Sequence, residues 1–90
     1  MNAEQKLEIH ELLSRAACAL DDHDLGLLAA CFAPQADMLI RIAGRDPVNF
    51  VGHAAIMQLM RDSIAAQTDK RRHVISNLFF EDHAQDEAWV

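Results

Sequence analysis

The chain has no run of apolar residues close to the roughly 20 that a membrane-spanning helix needs, which argues against a membrane protein. It has no basic excess: 14 acidic residues face 8 basic ones, for a net charge of −6. Nucleic-acid binding needs a basic surface, so that class is set aside. The one basic cluster, Lys70-Arg71-Arg72, reads as a solvated turn. Cysteine is scarce. Cys18 and Cys31 lie among apolar residues in predicted helices and are expected as free buried thiols, not as a disulfide framework. No Gly-flanked elbow surrounds Ser76, and no histidine, cysteine or carboxylate spacing fits zinc or calcium, so no metal and no cofactor are expected. Internal repeats and low-complexity linkers are also missing. Met1 to Lys6 is polar, without a signal-peptide core, and a cytoplasmic location is the expectation.

What is present fits one small domain over residues 1–90, about half apolar and about a quarter charged. A chain of this size buries only about 60–65% of its unfolded surface. Ile9, Leu12, Leu13, Ala16, Ala17 and Leu20 recur at helical spacing and predict a helix over 3–21. Asp21-Asp22-His23-Asp24 breaks it, and Asp24 is placed to cap a second helix from Leu25 to Phe32, stopped by Pro34. From Asp37 the period becomes two: Met38, Ile40 and Ile42 alternate with Leu39 and Arg41, as in a strand. Turn chemistry over 43–47 leads to a second strand, Val48 to Val51. After Gly52 a helix is predicted from His53 to Gln67, with Ile56, Leu59, Met60 and Ile64 as its stripe. Arg72 to Glu81 reads as a further strand. His73, Ile75, Asn77 and Phe79 lie on one face and Val74, Ser76, Leu78 and Phe80 on the other. A turn at 82–86 and a last strand from Glu87 to Val90 predict a hairpin of the last two strands, and the order is ααββαββ, an α+β arrangement.

Four segments, taken together, carry a resemblance: Ala19-Leu20-Asp21-Asp22-His23-Asp24 with Leu27-Leu28; Cys31-Phe32-Ala33-Pro34-Gln35-Ala36-Asp37; Val51-Gly52-His53-Ala54-Ala55-Ile56; and Arg72-His73-Val74-Ile75-Ser76-Asn77. In this order and spacing the chain resembles the SnoaL-like group of the nuclear transport factor two-like superfamily. The resemblance implies a cone-shaped, curved antiparallel sheet packed on three helices around a hydrophobic pocket. Such domains continue for two more strands, which this sequence lacks, so a C-terminally incomplete domain is expected: either the chain is a fragment or another chain supplies the missing sheet. An unfinished sheet presents an open edge, and a homo-oligomer, dimer or trimer, is expected.

By motif position, Asp21 and His73 resemble the Asp–His pair of lyases in this group. A histidine exchanges protons near neutral pH, and a carboxylate on its far nitrogen sets its tautomer. The implied activity is a cofactor-independent lyase or isomerase acting on a small hydrophobic or aromatic compound. The plain alternative makes Asp21 a turn residue and His73 a satisfied core histidine. A second functional reading is a non-catalytic ligand-binding or assembly module of the same fold. Tyrosine is absent, although several relatives use pocket tyrosines, and this departure favours the second reading. Ile40 stands where ketosteroid isomerases place an acidic base, which argues against that activity. Phe32, Met38, Ile40, Phe50, Met57, Met60 and Phe79 are candidate pocket walls, although such residues also make plain core. Asn77, on the face of His73, could donate to a substrate oxygen; satisfying backbone groups is the preferred reading. His10, His23, His53 and His83 are read as exposed or in turns.

Overall fold

The computed structural model describes residues 1–81, 87 and 88. Three helices and one hairpin follow in the order α1 (Ala3–Asp21), α2 (Leu25–Ala30), β1 (Asp37–Ile40), β2 (Val48–Val51) and α3 (His53–Ala65), so the chain is α+β. Helix α1 begins with a reciprocal cap. The Asn2 side chain accepts from the Gln5 N–H, and the Gln5 side chain accepts from the Asn2 N–H, both at 2.9 Å. Two of the N–H groups that a helix start leaves free are thereby satisfied.

Its end is equally determined. The Asp24 N–H donates to the Ala19 carbonyl at 2.8 Å and the His23 N–H to the Leu20 carbonyl at 3.2 Å. This is the Schellman pattern, and it places His23 in the left-handed region at φ 58°. A side chain there costs energy that glycine does not incur. His23→Gly is therefore expected to stabilise the fold by about 0.5–1 kcal/mol in urea unfolding. A clear loss of stability would show that the His23 imidazole, 3.2 Å from the Gln67 amide oxygen, matters more than the backbone. Asp24 then caps α2 as expected, its carboxylate accepting from the Leu27 N–H at 3.1 Å. Helix α2 is shorter than its pattern suggests and ends at Ala30.

The strands pair antiparallel, with Met38 opposite Phe50 and Ile40 opposite Val48. Gly52, at φ 88°, turns the chain from β2 into α3 in a conformation that favours glycine. Its N–H donates to both the Ala36 carbonyl and the Asp37 carboxylate. Helix α3 packs against α2 on one side and both strands on another, while α1 packs on α2. The buried apolar residues among those described are Ala19, Leu28, Ile56 and Met57. Ala16, Leu20, Leu25, Ala29, Phe32 and Met60 pack around the cluster of Ala19, Leu28 and Met57. Leu12, assigned to the buried stripe of α1, is instead exposed.

The main departure lies after α3. Of residues 72–81, expected as a strand, 72–80 have no ladder and Glu81 makes a single bridge, and the described sheet has two strands only. A strand exists only where a neighbour takes its hydrogen bonds. Here the His73 N–H is taken by the Asp21 carboxylate, and Asn77 at φ 55° breaks the extended run. The turn at 82–86 and most of the strand expected from Glu87 to Val90 fall outside the described residues, as does His83. Both cysteines are free thiols, but Cys18 is exposed and Cys31 half-buried, against the expectation of burial.

Candidate functional site

Asp21 is the last residue of α1, and its carboxylate points away from solvent, with the side chain 7% exposed. Its location runs against the helix macrodipole, which disfavours negative charge at a C-terminus. The compensation comes from residues 52 positions later in the chain. One carboxylate oxygen accepts the main-chain N–H of His73 at 2.6 Å, and the other lies 2.5 Å from His73 Nδ1. A carboxylate can only accept, so Nδ1 carries the proton. In the neutral imidazole this leaves Nε2 as the basic nitrogen, and Nε2 has no partner among the described residues.

Desolvation raises the pKa of the Asp21 carboxyl, but the two His73 hydrogen bonds, the His73 charge and the Arg72 guanidinium together outweigh it, and the net shift is downward. A depressed carboxyl stabilises the fold above its unfolded pKa of about 4, and this contribution is lost as pH falls through the lower folded value. Asp21→Asn is therefore expected to reduce the acid sensitivity of unfolding below about pH 4, read by circular dichroism. An unchanged acid limb would mean that the carboxylate is not held this way.

Beside the pair lies a groove of about 260 Å³ lined by Asp21, Asp22, His23, Asp69, Lys70 and Arg72. One wall belongs to the end of α1 and its cap, the other to the segment after α3. Arg72 Nη1 approaches Asp22 at 4.0 Å and Arg71 pairs with Asp69 at 3.2 Å. These are exposed pairs of small energetic weight. The His73 side chain is half exposed. The groove beside the pair is thus lined by charged and polar side chains.

The structure brings Asp21 and His73 together but leaves the apolar candidates elsewhere. Met57 is core, and Phe32 and Met60 pack against its cluster. Met38, Ile40 and Phe50 are half-buried on one face of the hairpin. Phe79 is 67% exposed, and Asn77 is exposed in a left-handed backbone. None of these residues lines the groove beside the pair. Phe80, assigned to the opposite face, is the aromatic that packs. Its ring lies edge-on to His10 with centroids 5.6 Å apart, and Lys6 Nζ sits 5.6 Å from its centroid. His53, read as exposed, is half-buried, and its Nε2 lies 2.7 Å from the Ala29 carbonyl, which also accepts from the Phe32 N–H at 3.5 Å.

Sequence reasoning missed the main-chain bond from His73 and the place of Arg72 near Asp21. The Lys70-Arg71-Arg72 cluster was the available signal, since cations adjoining an acid-rich turn suggest pairing. Among the described residues, no group of histidine, cysteine and carboxylate side chains could hold a metal ion, and no helix is long and apolar enough to cross a membrane. A family model described as a SnoaL-like domain matches residues 1–88. Comparison with curated proteins and with solved structures finds no match.

Proposed function

The chain belongs to the SnoaL-like domain family of the nuclear transport factor two-like superfamily, a fold suited to isomerase- or dehydratase-like chemistry or to ligand binding, and we propose that it is a cofactor-independent lyase or isomerase. The supporting observation is the His73 Nδ1 contact with Asp21 at 2.5 Å, which leaves Nε2 as a base of defined tautomer. In the proposed elimination, Nε2 takes a proton from the carbon next to the one bearing the leaving group. The C–H electron pair forms the double bond, and the leaving group departs as halide, or as water after taking a proton back from the imidazolium. In the isomerase variant, Nε2 takes a proton beside a carbonyl and returns it to another carbon. Asp21 stabilises the imidazolium formed in either case. The substrate class is a small hydrophobic or aromatic compound. Its oxygen substituent would meet the cationic groups of Lys70 and Arg72, supplying the polarisation that tyrosine gives in several relatives.

The test is turnover of hydroxylated aromatic and steroid-like compounds by the intact chain and by His73→Ala. Activity that His73→Ala removes supports the proposal; equal activity in both proteins ends it. A second reading, a binding or assembly module, draws on the half exposure of His73. Thermal stabilisation by such compounds without turnover, or a stable homo-oligomer that takes up none of them, would favour that reading. Light scattering gives the mass, for which a homo-oligomer is our proposal.

A further inference from the structure

The segment between α3 and Glu81 is held in an unusual way. Gln67 still bonds to α3 through its N–H. Beyond it, each hydrogen bond, ion pair and ring contact described between residues 68–80 and the rest of the chain runs to α1 or its C-terminal cap. Arg72 approaches Asp22, His73 meets Asp21 twice, and Phe80 meets His10 and Lys6.

The order of these contacts reveals the path. Rising from residue 73 to 80, the contacts on α1 descend from residue 21 to residues 10 and 6. The helical distance from Asp21 back to His10 is roughly 16 Å, at 1.5 Å per residue. The chain from His73 to Phe80 reaches at most about 25 Å when extended. The segment therefore lies antiparallel along α1, a span its extended length covers. Apolar burial does little to hold it, since Val74, Ile75 and Phe79 are exposed. Leu78 and Phe80 are half-buried at its far end. At the near end the Arg72–Asp22 pair is long and solvated, so the Asp21 carboxylate is the strongest tie.

We propose that residues 68–80 form a latched strap whose catch is the Asp21 carboxylate, gripping the main chain and the imidazole of His73 together. Because Asp21, Asp22 and His23 form one wall of the groove and Asp69, Lys70 and Arg72 the other, releasing the catch parts the walls. It also removes the partner of Nδ1, so opening the groove and disarming the base are one event; this last consequence rests on the proton-transfer reading above.

Hydrogen–deuterium exchange of the full chain tests the strap at neutral pH, comparing the unaltered protein with Asp21→Asn and Asp21→Ala. Loss of a charged acceptor is expected to speed exchange over 68–78 about tenfold or more, with α3 and the hairpin unchanged. Trypsin cleavage at Lys70-Arg71-Arg72 should accelerate in parallel. Unchanged exchange over 68–78, or an equal rise across all three helices, would overturn the proposal. Phe80→Ala leaves the catch intact. Exchange should then rise near residue 80 while the His73 amide stays protected, and loss of that protection would also overturn the proposal. No substrate enters these measurements. A failed strap leaves the proton-transfer reading standing, and an inert protein leaves the strap standing.

Discussion

Asp21→Asn is expected to lower turnover by about 10²- to 10⁴-fold, with KM changed much less. The reason is the direction of one proton. The carboxylate can only accept, so it holds His73 with Nδ1 protonated and Nε2 basic. A carboxamide of the same shape can turn its NH₂ toward Nδ1. The proton then moves to Nε2, and the base is silenced by the change of tautomer. His73→Ala should cost a similar factor, and the double variant little more than either alone, because the two residues act as one unit. The split between kcat and KM separates this role from a purely structural one: loss of the orienter should fall on kcat, whereas damage to the fold would lower the melting temperature and the amount of active protein together. A full-rate Asp21→Asn enzyme would show that the imidazole works without an orienter. Helix stability alone would predict gain from this substitution, since it removes a negative charge from the end of α1. A residue kept where its helix disfavours it is placed there by other contacts.

Ile56→Ala is expected to cost about 2–5 kcal/mol of folding stability. Ile56 is 0% exposed, in the second turn of a helix that touches α2 and both strands. Removing its outer carbons leaves a void that three elements would have to move to fill. A domain of this size shifts its Tm by roughly 4–8 °C for each kcal/mol, so the melting point should fall by 10 °C or more, as an order-of-magnitude figure. Natural domains hold only about 5–15 kcal/mol in reserve, and this core is thin. A partly unfolded variant at 37 °C is the expected consequence, seen by calorimetry and near-ultraviolet dichroism. A loss below about 1 kcal/mol would mean that the packing of α3 on the hairpin contributes little.

The helices were legible because several local signals agreed on each. The apolar spacing of α1 coincided with an acid-rich break, and its bounds, Ala3–Asp21, match the range read from the sequence. Asp24 announced the start of α2, and Gly52 that of α3. The hairpin was legible from the change of period at Asp37 and the turn residues before Val48. Residues 72–80 were misread because alternation records only which side chains are apolar. It does not record whether a neighbour exists to complete the ladder, and it could not reveal the backbone of Asn77. Ala19 was not counted in the stripe drawn through Ala16, Ala17 and Leu20, yet it is the buried residue of α1 and packs with Leu28 of α2. The proximity of Asp21 and His73 came from family resemblance, not from spacing, since no local rule links residues so far apart. The pocket walls were named from apolarity, which does not distinguish a residue such as Met57, buried in the core, from Phe79, which is exposed.

The Asp24 N–H helps to terminate α1 and its carboxylate initiates α2, so one residue serves two helix ends. The corner between them is consequently a rigid elbow. The bearing of the second helix is inherited from the first, and any movement at this end of the molecule must carry Asp21, Asp22 and Leu28 together as a single block.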